Sequence, residues 1–96
     1  MCYYVGIDVA KFKHDFTVVT SDGEVIVEST TFKNDLKGFE AIKDSLSNLD
    51  HSQEIKIGLE STGHYHKNLV KFLAEQGYKV SVLNPYLVHG FIKSCG

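Results

Sequence analysis

The chain has 96 residues, of which 43% are hydrophobic and 23% charged, a balance that excludes a disordered segment and suits one globular domain over residues 1–96. A net charge of -2 and a pI near 6.2 argue against a stand-alone nucleic-acid binder, and with all ten basic residues lysine, any contact to nucleic acid is expected to be with its backbone and weakly specific. No apolar run approaches the roughly eighteen residues of a membrane span. Cys2 and Cys95, one near each terminus and without Cys-x-x-Cys spacing, read as free thiols of a cytoplasmic protein.

Residues Tyr3 to Val9 place Tyr3, Val5 and Ile7 on one face of a strand and Tyr4, Gly6 and Asp8 on the other. Both faces are rather apolar, which predicts a central strand covered on both sides with Asp8 as its misfit. Lys11-Phe12-Lys13 reads as a turn into a second strand, His14 to Thr20. Asp22-Gly23 between β-branched runs predicts a hairpin to a third strand, Glu24 to Thr30. Asn34 or Asp35 then caps a helix with Leu36, Phe39, Ile42, Leu46 and Leu49 inward, ending near Asn48. Gly38 costs this helix about 1 kcal/mol.

A fourth strand, Ile55 to Glu60, repeats the order of the first: Ile57-Gly58-Leu59-Glu60 echoes Val5-Gly6-Ile7-Asp8. Ser61, Thr62 and Gly63 predict a turn and cap for a second helix, with Tyr65, Leu69, Phe72 and Leu73 inward and Gly77 closing it. A last strand, Lys79 to Leu83, runs into Asn84-Pro85, which opens a short third helix from Tyr86 to Lys93.

Three meandering strands followed by alternating helices and strands, joined by right-handed crossovers, favour an α/β mixed sheet in the order 3-2-1-4-5 with helices on both faces. There Asp8 and Glu60 end neighbouring parallel strands, roughly 4.8 Å apart, close enough to hold a divalent cation between them. The plainer reading of either acid is a turn or capping residue. His64 and His66, two apart at a helix start, read as surface polar residues, and Tyr65 as core. Lys11 and Lys13 follow Asp8 closely, as a solvated turn or as phosphate contacts.

The element order, with an acid closing the first and fourth strands, resembles the ribonuclease H-like fold and, within it, the Holliday-junction resolvases. More narrowly, Tyr4-Val5-Gly6-Ile7-Asp8-Val9-Ala10-Lys11, Gly58-Leu59-Glu60-Ser61-Thr62-Gly63-His64-Tyr65 and Val82-Leu83-Asn84-Pro85 resemble the N-terminal domain of insertion sequence 110 family transposases. The resemblance implies metal-dependent phosphodiester cleavage and strand transfer on DNA by a set of four acids, with Asp8 the first, Glu60 the second and Mg2+ (or Mn2+) the cofactor. It places the other two, an Asp-x-x-Asp pair, beyond Gly96, and a nucleophilic serine in a separate downstream domain, so Ser61 is not that nucleophile.

The chain is accordingly expected to be a truncated, inactive fragment with a weak metal site. Family members are also guided by a structured RNA, which makes a guide RNA a further implied partner. Loss of the downstream part predicts a homo-oligomer formed through Leu87, Val88, Phe91 and Ile92. Two other readings compete. Gly6-Ile7-Asp8 also suits the first subdomain of an actin-like ATPase or sugar kinase, and the domain also suits a non-enzymatic dimerisation or docking module.

Overall fold

The computed structural model describes residues 2–61, 63 and 65–83. Along the chain come β1 (Cys2–Val9), β2 (Lys13–Thr20), β3 (Val25–Lys33), α1 (Leu36–Ser47), β4 (Glu54–Ser61), α2 (Lys67–Glu75) and β5 (Val80–Leu83). The strands form one five-stranded sheet in the order β3-β2-β1-β4-β5. β1 is antiparallel to β2 and parallel to β4, β2 is antiparallel to β3, and β5 continues parallel to β4. This is the mixed α/β architecture and strand order expected from the element sequence.

Period-two alternation decides which face is packed. Val5, Ile7 and Val9 of β1, Phe16 and Val18 of β2, and Ile57 and Leu59 of β4 share one core with Phe39, Ile42 and Leu46 of α1 and Leu69 and Leu73 of α2. Each fully buried side chain of this size contributes roughly 1.5–3 kcal/mol, so this face carries most of the stability. Phe39 and Phe72 join the two helices, their ring centroids 5.7 Å apart. Both described helices therefore lie on one face. The predicted third helix from Tyr86, with the self-association surface at Leu87, Val88, Phe91 and Ile92, lies outside the described residues.

On the opposite face Tyr4 is buried but Gly6 and Asp8 are exposed, so the two-sided burial expected of β1 fails at its acid end. At Gly6 there is no side chain, and a Cβ built there would meet nothing within 4 Å.

Turn and cap chemistry sets the element ends. Gly23 takes φ +88 in the hairpin between β2 and β3, where the Thr20 N–H donates to the Glu24 carbonyl at 2.8 Å. Asp35, rather than Asn34, caps α1 by accepting from the Gly38 N–H at 2.8 Å. Leu36 is 60% exposed, against expectation. The apolar stripe starts one turn later at Phe39, because the first turn meets β3 through backbone: a Cβ on Gly38 would collide with the Lys33 carbonyl oxygen.

α2 begins at Lys67, with His66 at its N-cap and no side-chain cap bond. Ser61 does not cap it, because β4 runs on through Ser61, which pairs with Val9. Tyr65 precedes the helix and packs half-buried against the core, while Thr62 and His64 lie outside the described residues. Gly77, at φ +90, ends α2 in a Schellman motif, with the Gly77 N–H donating to the Ala74 carbonyl and the Tyr78 N–H to the Leu73 carbonyl, both at 3.0 Å.

Cys2 is buried in β1, and Cys95, the other cysteine read as a free thiol, lies outside the described residues. Among the described residues no helix is long and apolar enough to cross a membrane.

Gly38→Ala is expected to lower the unfolding free energy by about 1–3 kcal/mol despite alanine's higher helix propensity, because the added methyl overpacks the β3–α1 contact. Urea unfolding monitored by circular dichroism measures this, and an unchanged or raised midpoint would contradict it.

Candidate functional site

Register brings the site together. Asp8 of β1 pairs with Glu60 of β4 on one side and with Asp15 of β2 on the other. The same row continues to Thr31 on β3 and Leu83 on β5. Laterally paired residues point to the same face, so the three carboxylates stand in line on the face away from the helices. Beneath them Gly6 and Gly58 leave a hollow of about 350 Å3, bounded by Tyr4, Thr17 and Val19 as well as by the acids. A Cβ on Gly6 would meet nothing within 4 Å, so this glycine leaves open space and is not forced by packing.

Both acids singled out from the sequence, Asp8 and Glu60, thus lie side by side as expected. Asp15 was missed. Its carboxylate accepts a hydrogen bond from the Thr31 hydroxyl at 2.9 Å. The signal that could have found it was the turn at Lys11-Phe12: once its length fixes the antiparallel register, Asp8 must face Asp15. Among the described residues no group of three or more His, Cys, Asp or Glu is arranged to hold a metal ion. His66 is half-buried, not a surface residue, and its Nδ1 has no partner among the described residues.

Behind the acid end, a polar hub fixes the strand ends. His14, paired with Val9 and so on the packed face, is fully buried and stacks on Phe39 at 5.9 Å between centroids. Its Nε2 lies 3.1 Å from the Asn34 carboxamide oxygen. That oxygen can only accept, so Nε2 carries the proton. The Asn34 amide donates to the Lys11 carbonyl at 3.0 Å and, at 3.4 Å each, to the carbonyls of Ala10 and Tyr65. Asn34 therefore ties the turn that follows Asp8 to the segment that follows Glu60, rather than capping α1.

A family model described as Transposase, of the insertion sequence 110 DEDD type, matches residues 5–94. The chain belongs to this transposase family. It is 31% identical over 96 residues to a pilin gene-inverting protein of Moraxella lacunata and 28% identical over 94 residues to the protein of the same name in Moraxella bovis. These matches cover 97% of this chain but 28% of each relative, so the chain spans little more than a quarter of their length. In fold it is similar to the Thermoplasma acidophilum Pelota protein, with TM-score 0.60 and 15% identity over 98% of this chain and 33% of that one. In a transposase-family chain Gly6-Ile7-Asp8 no longer supports an actin-like kinase.

Two outcomes follow from the transposase-family domain as built. Gly6→Ala should fold as well as the parent or better, by up to about 1 kcal/mol, because a strand glycine costs backbone entropy and the space above Gly6 is empty; a thermal melt shifted clearly downward would contradict this. Burial lowers the His14 pKa from its ordinary 6.5, with the Asn34 hydrogen bond opposing. The unfolded chain then binds the extra proton more readily. The contribution of neutral His14 is complete above pH 6.5 and is lost as pH falls below it toward the lowered folded-state value. Melting temperatures should decline from pH 7.5 to 5.5, with NMR placing the His14 midpoint below that of an exposed histidine.

Proposed function

We propose that this chain supplies the first two carboxylates, Asp8 and Glu60, of a metal-dependent DNA cleavage and strand-transfer site in a longer transposase. The observation that carries the reading is the in-register pairing of Asp8 with Glu60 on adjacent parallel strands, above the Gly6–Gly58 floor. The donor chemistry fits: Mg2+ takes hard oxygen ligands and commonly binds through one or two carboxylates completed by water and substrate phosphate. When bound at Asp8 and Glu60, Mg2+ or Mn2+ supplies activation of an attacking oxygen and charge stabilisation at the leaving oxygen.

The chain's own residues do the positioning. Gly6 leaves room for a phosphate backbone to come down to the acids, Thr31 orients Asp15, and the Asn34 bonds hold the ends of β1 and β4. The relatives' names describe inversion of a pilin gene, a rearrangement of DNA, and the same class of reaction is proposed for the longer protein to which this chain corresponds. Alone, with two carboxylates, the domain is proposed to bind the metal weakly and to cut nothing.

An NMR titration with Mg2+ tests this. Millimolar additions should shift resonances of Asp8, Glu60 and their strand neighbours, and Asp8→Ala should abolish the response. Shifts centred elsewhere, or magnesium-dependent DNA cleavage that survives Asp8→Ala, would overturn the assignment.

A further inference from the structure

One pleat beyond Asp15 and Thr31, on the same open face, Lys13 stands directly opposite Lys33. Directly opposed like charges destabilise a sheet, so the pair works against the fold and favours an anion between its ammonium groups. Next to it the turn lifts an aromatic ring into solvent. Phe12 is 76% exposed, and the Lys11 Nζ lies 5.2 Å from its ring centroid.

The backbone under that ring is pinned. The Phe12 carbonyl accepts from the Asn34 N–H, and the Ala10 N–H donates to the Lys13 carbonyl, both at 2.9 Å. In a chain of net charge -2, this end carries Lys11 against the exposed Phe12 ring and the opposed pair Lys13 and Lys33 at the adjoining strand ends, one pleat from the row of carboxylates. A rigidly presented aromatic face with cations at its rim is the chemistry that holds single strands, where bases stack on the ring and lysines follow the phosphates. A paired base inside a duplex offers no free face to Phe12.

We propose that the β1–β2 turn is a landing site for single-stranded DNA, with Phe12 stacking on an unpaired base and Lys11, Lys13 and Lys33 holding the flanking phosphates. The proposal rests on the reading of Asp8 and Glu60 as the cleavage site only for what the strand is brought to; binding is a separate readout.

Fluorescence anisotropy of a labelled thymidine oligonucleotide of about twelve residues, in low salt with EDTA, tests it on the 96-residue chain. Phe12→Ala should weaken binding about tenfold, the size of one lost base–aromatic stack, and leave weak duplex binding unchanged. Lys13→Gln combined with Lys33→Gln should reduce the slope of log affinity against log salt by about 1.4, or 0.7 for each phosphate contact. The Phe12 ring lies outside the core, so an unchanged melt for Phe12→Ala shows that the effect is not unfolding.

Absence of single-strand binding by the parent chain, equal binding by Phe12→Ala, or tighter Phe12-dependent binding of the corresponding RNA would each overturn the DNA assignment. Phe12-dependent DNA binding together with a failed Mg2+ titration would sink the metal reading and leave this one standing.

Discussion

The parallel pairing of β1 with β4 is the constraint from which the rest follows. Its register sets Val5 beside Ile57 and Ile7 beside Leu59 on the packed face, and Gly6 beside Gly58 and Asp8 beside Glu60 on the other. A slip of one residue would drive Glu60 into the core and expose Leu59, so burial locks the register far more firmly than any interaction between the acids. The two carboxylates, which would repel each other if left to choose, are held together by the apolar side chains behind them. α1 and α2 complete that restraint by covering the packed face with Ile42, Leu46, Leu69 and Leu73, all fully buried.

Glycines serve opposite ends in this sheet-and-helix arrangement. Gly38 is demanded by contact, since the Lys33 carbonyl occupies the place a side chain would take. Gly6 is demanded by no contact, and its value lies in the hollow it leaves beneath the acids. Asn34 links the two regions, accepting from His14 on the buried side and donating to the carbonyls of the turn and of Tyr65 on the other. The stability of a buried, neutral histidine is thereby coupled to the placement of the strand ends that carry Asp8 and Glu60.

Much of this was legible because it depends on local pattern. The repeated apolar-glycine-apolar-acid run named both parallel partners, Asp22-Gly23 marked the hairpin, and the helical spacing of Phe39, Ile42 and Leu46 marked α1. What escaped depends on partners distant in sequence. Asp15 acquires its place only when the β1–β2 register is known. Leu36 obeys the helical period, yet it is exposed because backbone, not side chain, makes the α1–β3 join. Ser61 carries a capping residue's chemistry, but pairing with Val9 extends β4 through it. The hollow above Gly6 could not be told from a covered face, because composition does not say whether a glycine admits a neighbour or keeps one away. The acid pair itself was legible as proximity.

The segregation of both described helices to one side of the sheet divides the labour of β1 by parity. Odd positions, Tyr3 to Val9, answer to folding, whereas Gly6 and Asp8 answer to whatever arrives from solvent. A substitution profile along this strand should therefore alternate between variants that fail to accumulate and variants that accumulate intact. The second kind can be built and purified, so the exposed positions can be altered one by one without weakening the body that presents them.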